Sequence, residues 1–297
     1  MKILVIGGSY FFGRVFVMSA AKEHDLTVVN RGTFSMEEYG VKRIRGDRRN
    51  EALWRECRED YDVIVDFCAY EQGDIAKVLR HFPGKVRQYI FISTVDVYRR
   101  GISGFKKEDT PFETRQIPGE AGKYIAGKVA LEGELWEECR ARSMEGTVLR
   151  PAILYGPLNY APRESVFIRL AAKEHILPRV MNATGRFQFL YVKDAAEAVM
   201  KCLLNERTYG EAYNLCQDLV LDYMLFFNCL KQAAGIELRQ VPLTVEEAEK
   251  NDFPLPFPVR EEETELYSNE KSKRELGMVY TGFLEGMTKT YRAFAEA

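Results

Sequence analysis

The sequence predicts an α/β fold built around a doubly wound parallel sheet. Three observations predict this class. The chain opens on a short run of aliphatic and β-branched residues, a glycine turn follows at once, and four further strand-like runs then alternate with helical segments as far as Ser93. Parallel strands need long crossover connections, so the alternation predicts right-handed strand–helix–strand units.

The first strand and the turn after it are the best-defined elements. Lys2 to Ile6 is apolar at nearly every position, as in a strand that is buried on both faces of a sheet. A glycine pair then allows a tight turn, and a third glycine lets the following helix, from Phe11 to Lys22, pack close to the strand. Free backbone N–H groups and the positive end of the helix dipole suit a pyrophosphate. The pattern predicts a dinucleotide-binding turn, with a turn that binds no ligand as the alternative. The residues assigned to it are Gly7, Gly8, Ser9, Tyr10, Phe11, Phe12 and Gly13.

The second and third strands predict the adenosine end of this site. Leu26 to Asn30 ends where a sheet of this kind meets the adenine ribose. An acidic residue there would repel a 2'-phosphate, but the chain has Asn30 and Arg31. The pair therefore favours NADP over NAD, with Arg31 as a solvated loop residue as the alternative. Asp47, which follows the third strand at Val41 to Arg45, is expected to accept a hydrogen bond from the adenine amino group.

The fourth and fifth strands predict the rest of the cofactor's surroundings. The fourth strand is Tyr61 to Asp66, a helix follows over Glu71 to His81, and the fifth strand is Gln88 to Ser93. The carboxyl ends of parallel strands are where such sheets bind ligands. We therefore assign to the cofactor the residues Cys68, Ala69, Tyr70 and Ser93.

The remaining chain predicts one more strand of the sheet and a second lobe. A long helix is expected over 121–143 and a strand over Gly146 to Arg150. A turn then leaves the sheet, with Pro151 and Ile153 beside the cofactor. Further helices are predicted near 163–174, 194–204, 220–234 and 282–296, strands near 187–192, 211–215 and 238–241, and a non-helical loop at Pro254, Pro256 and Pro258.

These elements predict two domains. The nicotinamide-binding domain is expected to comprise residues 1–156 plus about 185–216. The remaining ranges, 157–184 and 217–297, are expected to form a smaller α+β lobe that binds the substrate.

Two residues of the long helix predict proton-transfer chemistry. Tyr124 and Lys128 stand four apart, so they share one helix face. A phenol is a weak base at neutral pH, but an adjacent ammonium and an oxidised nicotinamide favour the phenolate and lower its pKa. Lys128 is also expected to bind the nicotinamide ribose. Thr94, just past the fifth strand, is placed to hydrogen-bond the substrate oxygen whose proton Tyr124 moves. Alone, such a tyrosine–lysine pair is usually an ordinary helix surface pair, so the order of the motifs matters more.

In that order the sequence resembles the extended short-chain dehydrogenase/reductase family, the group of NAD-dependent epimerases and dehydratases. The turn has Tyr10 where the family usually has a middle glycine. This turn and the NRG at 30–32 are similar to those of an atypical subgroup that includes the chloroplast stem-loop-binding proteins. The matching segments are GGSYFFG (7–13), FISTVDVY (91–98), EDTP (108–111), YIAGK (124–128), LRPAILYGP (149–157), YVKDAAEA (191–198) and YNL (213–215).

The resemblance implies a Rossmann domain, a bound nicotinamide cofactor and a catalytic triad at Thr94, Tyr124 and Lys128. Dehydratases of the family carry Asp and then Glu after the catalytic Thr, whereas this chain has Val95 and Asp96. The missing carboxylate argues against dehydration. Asp96 is assigned to the substrate, with a turn-capping role as the alternative.

Epimerases of the family tend to carry an Arg four residues before the Tyr of the YV motif. This chain has Phe187 at that position and Arg186 one residue earlier. Arg186 and Arg260 are therefore assigned to the substrate, and Arg163 is a further candidate. For each of them a plain surface residue is the alternative.

Composition excludes several other classes. The 297 residues are 46% hydrophobic, enough for one large or two modest cores. A formal net charge of -2 gives no general attraction to nucleic acid or anionic lipid. The six cysteines form no CxxC pair and the three histidines are widely spaced, so neither a metal site nor a disulfide framework is expected. The basic residues between Lys42 and Arg49 are expected to form a solvated face or a local phosphate contact.

The same features predict location and partners. The first strand leaves no room for a signal peptide before it, and no apolar run approaches the ~18 residues of a membrane span. We expect a soluble cytoplasmic protein with a small-molecule substrate, no nucleic acid or membrane partner, and a homodimer formed through helices 71–81 and 121–143.

Together these inferences predict an NAD(P)-dependent epimerase or oxidoreductase. It would act on a hydroxyl or keto carbon, as UDP-glucose 4-epimerase does on a nucleotide sugar. Two alternatives stay open. One is a non-catalytic protein that senses dinucleotides or binds RNA, like the chloroplast relatives, and the other keeps the Rossmann domain only as a scaffold.

Overall fold

The structure of the protein is a computed structural model that describes residues 1–159 and 161–295. The strands are β1 (Lys2–Ile6), β2 (Asp25–Asn30), β3 (Lys42–Arg45), β4 (Tyr61–Asp66), β5 (Val86–Ile92), β6 (Phe105–Lys106), β7 (Glu145–Pro151), β8 (Ile153–Tyr155), β9 (Ile176–Val180), β10 (Phe189–Tyr191), β11 (Glu211–Leu215), β12 (Arg239–Leu243) and β13 (Leu266–Tyr267). The helices are α1 (Phe11–Ala20), α2 (Glu51–Glu56), α3 (Asp74–His81), α4 (Gly119–Arg142), α5 (Glu164–Arg169), α6 (Val192–Cys202), α7 (Tyr223–Ala234), α8 (Val245–Lys250), α9 (Glu270–Leu276) and α10 (Phe283–Ala295).

A seven-stranded parallel sheet organises the fold. Its strand order is β11-β7-β5-β4-β1-β2-β3. The chain proceeds from β1 outward through β2 and β3, then returns to the other side of β1 and proceeds through β4, β5, β7 and β11. The order reverses between β1 and β4, and sheets of this kind bind ligands in the crevice at such a reversal. The predicted doubly wound parallel sheet is confirmed.

Alternate residues of the strands feed two cores on the two faces of the sheet. On one face, Ile3 and Val5 of β1 pack with residues of α1 and α6. On the other, Leu4 and Ile6 pack with residues of α2, α3 and α4. Both faces of β1 are covered, which explains why nearly all of its residues are apolar, as expected for a central parallel strand.

A third core lies outside the sheet and is rich in aromatic residues. It joins α5, α7 and α10 to β9 and β10, with Phe189 in ring contact with Phe226 and Phe283. Leu276 and Met278 pack instead in the core between the sheet and α1. The chain after 217 therefore contributes to both cores, and the division into two domains stays a prediction.

Several predicted boundaries differ from the structure for local reasons. The helix expected from Glu71 begins at Asp74, because the Asp74 carboxylate accepts hydrogen bonds from the backbone N–H groups of Tyr70 and Glu71 and holds them in a loop. The segment 163–174, expected as one helix, is α-helical only from Glu164 to Arg169. Residues Leu170–Glu174 follow it as a π-helical turn. The predicted helix 282–296 corresponds to α10, which is described from Phe283 to Ala295, and residue 296 lies outside the described residues.

The elements that sequence analysis missed are short. They include β6 and β13, which pair with each other, β9, which pairs with the strand β12 predicted near 238–241, and the helices α2, α8 and α9. Two of these helices carry ordinary caps, Asn50 for α2 and Thr244 for α8, so their starts were present in the sequence. Within the described residues, the structure has no helix with the length and apolarity needed to span a bilayer.

Helix α4 approaches the loop after β4 unusually closely. A side chain at Gly127 would place its Cβ 2.0 Å from the Tyr70 carbonyl oxygen. Farther along α4, the Glu134 carboxylate accepts hydrogen bonds from the backbone N–H groups of Gly73 and Ala76 at the start of α3. The loop that carries Tyr70 is therefore held between α3 and α4.

We expect Gly127→Ala to lower the free energy of unfolding by about 1–3 kcal/mol, because the added methyl group would force α4 away from this loop. Gly133→Ala is the matched control on the same helix, since nothing lies within 4 Å of its added Cβ. That change should stabilise the protein by about 0.5–1 kcal/mol, as alanine costs less backbone entropy than glycine in a helix. Urea unfolding of both variants measures the difference, and equal effects would contradict the expectation.

Candidate active site

A cavity of about 750 Å³ lies at the carboxyl ends of β1, β2, β4 and β5. All residues of the glycine turn from Gly7 to Gly13 line it. Ala69 is fully buried beside the cavity and does not line it. The other predicted cofactor residues in its walls are Asn30, Arg31, Asp47, Cys68, Tyr70, Ser93, Lys128 and Pro151.

Ile153 does not reach this cavity, although the sequence assigned it to the cofactor. It lies in β8, which pairs with β10 rather than with the main sheet. Its side chain packs against the third core, which is rich in aromatic residues. The pairing of β8 turns Ile153 away from the carboxyl edge of the sheet, which corrects the prediction.

The glycine turn has the geometry of a close backbone approach. Gly7 and Gly8 have φ of +101° and +57°. A Cβ on Gly8 would lie 2.7 Å from Val5, and one on Gly13 would lie 2.8 Å from the Cα of Gly8. Tyr10 stands at the cap of α1 with its ring half exposed, 6.3 Å from the ring of Phe34. The turn therefore keeps its backbone in the cavity wall although Tyr10 replaces a glycine.

The adenosine end of the cavity contains an unsatisfied amide. Asn30 is 6% exposed and lines the cavity, and neither its Oδ1 nor its Nδ2 has a hydrogen-bond partner. Leaving a buried amide unpaired costs about 1–3 kcal/mol, so a polar ligand group is the expected partner. The side chains of Arg43 and Arg45 reach this end, because a Cβ on Gly32 would lie 2.6 Å and 2.8 Å from their guanidinium nitrogens.

Asp47 is already engaged at this end. Arg49 donates to both of its carboxylate oxygens, at 3.2 and 3.0 Å. These hydrogen bonds, first among the causes, lower the pKa of Asp47 to about 2. Asp47 therefore stays ionised, and its expected contact with an adenine would have to share an oxygen with Arg49.

A buried ion pair below the cavity was missed by sequence analysis. Arg48 donates to Asp66 Oδ1 at 2.8 Å and to the Asp74 carbonyl at 2.9 Å. Tyr89 donates to the other oxygen of Asp66 at 2.6 Å, and burial raises the pKa of Tyr89. Arg48 thus ties the segment after β3 to β4 and to α3. The sequence showed Arg48 only as one member of a basic run.

The reactive end places Lys128 deep in the wall and Tyr124 at its edge. Lys128 is 2% exposed, and its Nζ donates to the Ile92 carbonyl at 2.8 Å. Its nearest ring centroids are those of Phe91 at 4.8 Å and Tyr70 at 4.9 Å. Desolvation lowers the pKa of Lys128 to about 8, so the ammonium persists at neutral pH.

The environment of Tyr124 differs from the sequence-based expectation. Desolvation, followed by the negative charge of Asp96, raises the pKa of Tyr124, while a hydrogen bond with Thr94 opposes the change. Lys128 lies 5.7 Å from the Tyr124 ring centroid and directs its ammonium to a backbone carbonyl. Lys128 is therefore not among the main influences on the pKa of the phenol in this structure.

Thr94 and Asp96 form a small turn beside Tyr124. Thr94 Oγ1 accepts a hydrogen bond from the Asp96 backbone N–H at 3.2 Å, so Thr94, rather than Asp96, caps the turn Val95–Val97. The Thr94 hydroxyl donates to Asp96 Oδ2 at 3.1 Å. The exposed Asp96 thus acts on the site through its charge and through Thr94.

Of the arginines considered for the substrate, only Arg163 reaches the cavity. It stands at the start of α5 and lowers the pKa of Tyr124 through its positive charge. Arg186 is exposed outside the cavity, next to Phe187, which the aromatic core buries. Arg260 lies at the surface, where it pairs with Glu249 at 2.7 Å and with Glu263 at 3.7 Å. Both residues are directed away by their own segments, which corrects their assignment to this cavity.

A buried polar network behind Ser93 joins several of the sequence motifs. Ser93 Oγ donates to Glu132 Oε1 at 2.6 Å, and Arg150 donates to both Glu132 oxygens at 3.0 and 2.6 Å. Arg150 also donates to the Tyr98 hydroxyl, which donates in turn to Asn214 at 2.6 Å. Sequence analysis missed Glu132, although it lies one helical turn after Lys128 on the same face of α4.

Comparison with known proteins is consistent with this geometry. Residues 74–216 match the family model described as the NAD dependent epimerase/dehydratase family, which confirms the resemblance carried by the motifs. The chain is also 25% identical to the chloroplast stem-loop binding protein of 41 kDa b from Arabidopsis thaliana, over 98% of this chain and 78% of that protein.

Solved structures of low sequence identity share the fold. UDP-glucose 4-epimerase of Thermotoga maritima superposes with a TM-score of 0.79 at 18% identity, covering 100% of this chain and 99% of that chain. UDP-glucose 4-epimerase of Thermus thermophilus, in complex with NAD, gives 0.78 at 20% identity, covering 100% of both chains. The dTDP-glucose 4,6-dehydratase of Bacillus anthracis gives 0.78 at 19%, covering 100% and 97%.

We expect Asp96→Asn to lower the pKa of Tyr124 by about 0.5–1, because it removes a negative charge that disfavours the phenolate. A fluorotyrosine incorporated at position 124, whose phenol is more acidic than that of tyrosine, makes the ionisation measurable by fluorine NMR. Asp109→Asn, an exposed aspartate outside this cavity, is the control and should leave the titration unchanged. An unchanged or higher pKa in Asp96→Asn would contradict the electrostatic role.

Proposed function

We propose that the protein, whose residues 74–216 match the NAD dependent epimerase/dehydratase family model, is an NAD(P)-dependent enzyme acting on a hydroxyl or keto carbon of a nucleotide sugar. One observation carries the proposal. A single cavity brings the glycine turn together with Tyr124 and Lys128, which the sequence separates by more than a hundred residues. The reaction is either epimerisation through a transient ketone or net reduction of a carbonyl.

The residues present fit a nicotinamide dinucleotide. The glycine turn presents its backbone to the cavity at the start of α1, where a pyrophosphate would bind, and a Cβ at Gly8 or Gly13 would collide with Val5 or with the Gly8 backbone and displace the turn. The unpaired amide of Asn30 supplies both a donor and an acceptor for the hydroxyl groups or phosphate of an adenosine ribose. When bound, such a cofactor would accept or return a hydride at the substrate carbon.

The chain's own residues supply the proton chemistry. Tyr124 lies at the edge of the cavity with its phenol protonated, so it is ready to donate a proton to a substrate oxygen. Thr94 is close enough to hydrogen-bond the same phenol, and its hydroxyl orients the oxygen that reacts. The buried ammonium of Lys128 holds positive charge at this end and, together with the positive charge of a bound oxidised nicotinamide, favours the phenolate.

The charge distribution supports an anionic substrate. Among the ionic groups in the cavity wall, Arg48 pairs with Asp66 and Arg49 with Asp47. Arg163, at the reactive end, has no ion pair within the described residues. We assign it the anionic diphosphate of a sugar nucleotide, in the role first considered for Arg186 and Arg260. Two of the proteins that share the fold are named UDP-glucose 4-epimerases, which supports the same class.

The adenosine end supports NADP over NAD. Asn30 replaces an acidic residue, and Arg31, Arg43 and Arg45 surround Gly32 with positive charge. A 2'-phosphate would bring two negative charges to these positively charged groups. The predicted homodimer and cytoplasmic location stay predictions.

An RNA-binding role is the second candidate, favoured by the similarity to the chloroplast stem-loop binding protein. The net charge of -2 argues against it, because RNA-binding surfaces are usually strongly basic. Mass spectrometry of the molecules released from the purified protein separates the two candidates. A nicotinamide dinucleotide or a sugar nucleotide supports the enzyme, and recovered RNA without either would contradict it.

We expect Tyr124→Phe to lower kcat by about 10²–10⁴ while leaving dinucleotide affinity within about twofold, because the phenol takes part in proton transfer and not in cofactor binding. Turnover is measured on the sugar nucleotide identified by mass spectrometry, and affinity by fluorescence titration with NADPH. Full activity of the phenylalanine variant would refute the assignment of Tyr124 as the proton donor.

We expect Asn30→Asp to weaken NADP binding at least about tenfold and to change NAD binding little, since a carboxylate repels a 2'-phosphate but accepts from ribose hydroxyls. Asn50→Asp, at the cap of α2 and outside the cavity, is the matched control. Calorimetric titration with both dinucleotides gives the two affinities. A loss of NAD and NADP affinity in equal proportion would argue against a 2'-phosphate site.

A further inference from the structure

The residues that the proposed reaction uses come from two separate elements. Tyr124 and Lys128 lie on α4, whereas Thr94 follows the carboxyl end of β5. A hydrogen bond between Thr94 and Tyr124 therefore depends on where α4 sits relative to β5. A displacement of about 1 Å is enough to weaken such a bond severely.

Two polar side-chain contacts attach α4 to the end of β5. Lys128 Nζ donates to the carbonyl of Ile92 at 2.8 Å, and one helical turn later Glu132 accepts from the hydroxyl of Ser93 at 2.6 Å. Ile92 and Ser93 immediately precede Thr94. The two contacts therefore fix the position of α4 directly beside the residue that must meet Tyr124.

The second of these contacts is itself rigidly supported. Glu132 is fully buried, and Arg150 of β7 donates to both of its oxygens. Arg150 is held in turn by the Tyr98 hydroxyl and by the Glu108 carbonyl at 3.1 Å. Glu132 does not line the cavity, so it is not placed to contact a ligand. Nothing in the proposed chemistry uses it, yet it carries a charge that is costly to bury.

We propose that Glu132 is a positioning residue, which joins α4 to β5 and β7 and thereby holds Tyr124 in place beside Thr94. The inference rests on the proposed function only in so far as Tyr124 is the group that needs positioning. The bidentate pair with Arg150 keeps the carboxylate in one orientation, so that the Ser93 hydroxyl must donate to it. Ser93 and Arg150 then act together with Glu132 in fixing the position of α4.

The test measures how much Thr94→Val changes the pKa of Tyr124 in the protein without added dinucleotide. We call this change the coupling between Thr94 and Tyr124. Fluorotyrosine is placed at position 124, and its pKa is followed by fluorine NMR with and without Thr94→Val. In the otherwise native chain we expect Thr94→Val to raise that pKa by about 1, because Thr94 beside the phenol favours the phenolate. The proposal predicts that the increase falls to less than about half in a Glu132→Gln background, since the two groups no longer meet.

Two further variants separate positioning from general damage. Ser93→Ala removes the contact between α4 and β5 but keeps the Glu132 pair with Arg150, so it remains informative if Glu132→Gln does not fold. We expect it to reduce the coupling as Glu132→Gln does. The matched control replaces another buried ion pair, Lys106 with Glu265, by Lys106→Met and Glu265→Gln, and should leave the coupling unchanged.

The outcomes are distinct. Full coupling in both Glu132→Gln and Ser93→Ala would overturn the proposal, and so would an equal loss of coupling in the control variant. Rescue by Glu132→Asp is not expected, because the shorter side chain cannot reach Ser93 and Arg150 together. An active Tyr124→Phe enzyme would refute the proposed function but would leave this coupling measurement unaffected.

Discussion

The packing of α4 against the carboxyl end of the sheet is the constraint on which the site depends. The helix carries both predicted catalytic side chains, and it meets the loop after β4 at Gly127, where even a methyl group would collide with the Tyr70 carbonyl. Its Glu134 orders the start of α3, and its Lys128 reaches the end of β5. One helix thus sets the positions of the cavity wall, the neighbouring loop and the reactive groups.

Two buried ion pairs stabilise the surroundings of the cavity without neutralising its positive charge. Asp66 is held by Arg48 below the cavity, and Glu132 is held by Arg150 behind the reactive end. Removing one partner of such a pair typically costs about 3–5 kcal/mol, because the other charge stays buried. Since both pairs are internally balanced, they add little net charge to the site. The positive charge of the cavity therefore comes from other residues, which include Lys128 and Arg163 at the reactive end and Arg31 at the adenosine end.

The sequence motifs have a common structural explanation. FISTVDVY supplies Ser93 and Tyr98, LRPAILYGP supplies Arg150, and YNL supplies Asn214, which all belong to one hydrogen-bonded network. EDTP joins it through Glu108, whose carboxylate accepts from the Asn214 backbone N–H at 2.9 Å. Outside the cavity, these motifs therefore hold the strands in place through Tyr98, Glu108, Arg150 and Asn214.

The sequence by itself predicted the sheet and the glycine turn, and it proposed the residues Thr94, Tyr124 and Lys128, because strand apolarity, glycine dihedrals and helical spacing are local properties of the chain. Tertiary structure alone decided that Arg163, and not Arg186 or Arg260, reaches the cavity, that Ile153 turns away, and that the pKa of Tyr124 is raised. Those outcomes depend on burial and on charges brought together from distant segments. No local pattern encodes such distances, and the role of Glu132 in joining α4 to β5 and β7 became visible only when the fold brought these elements together.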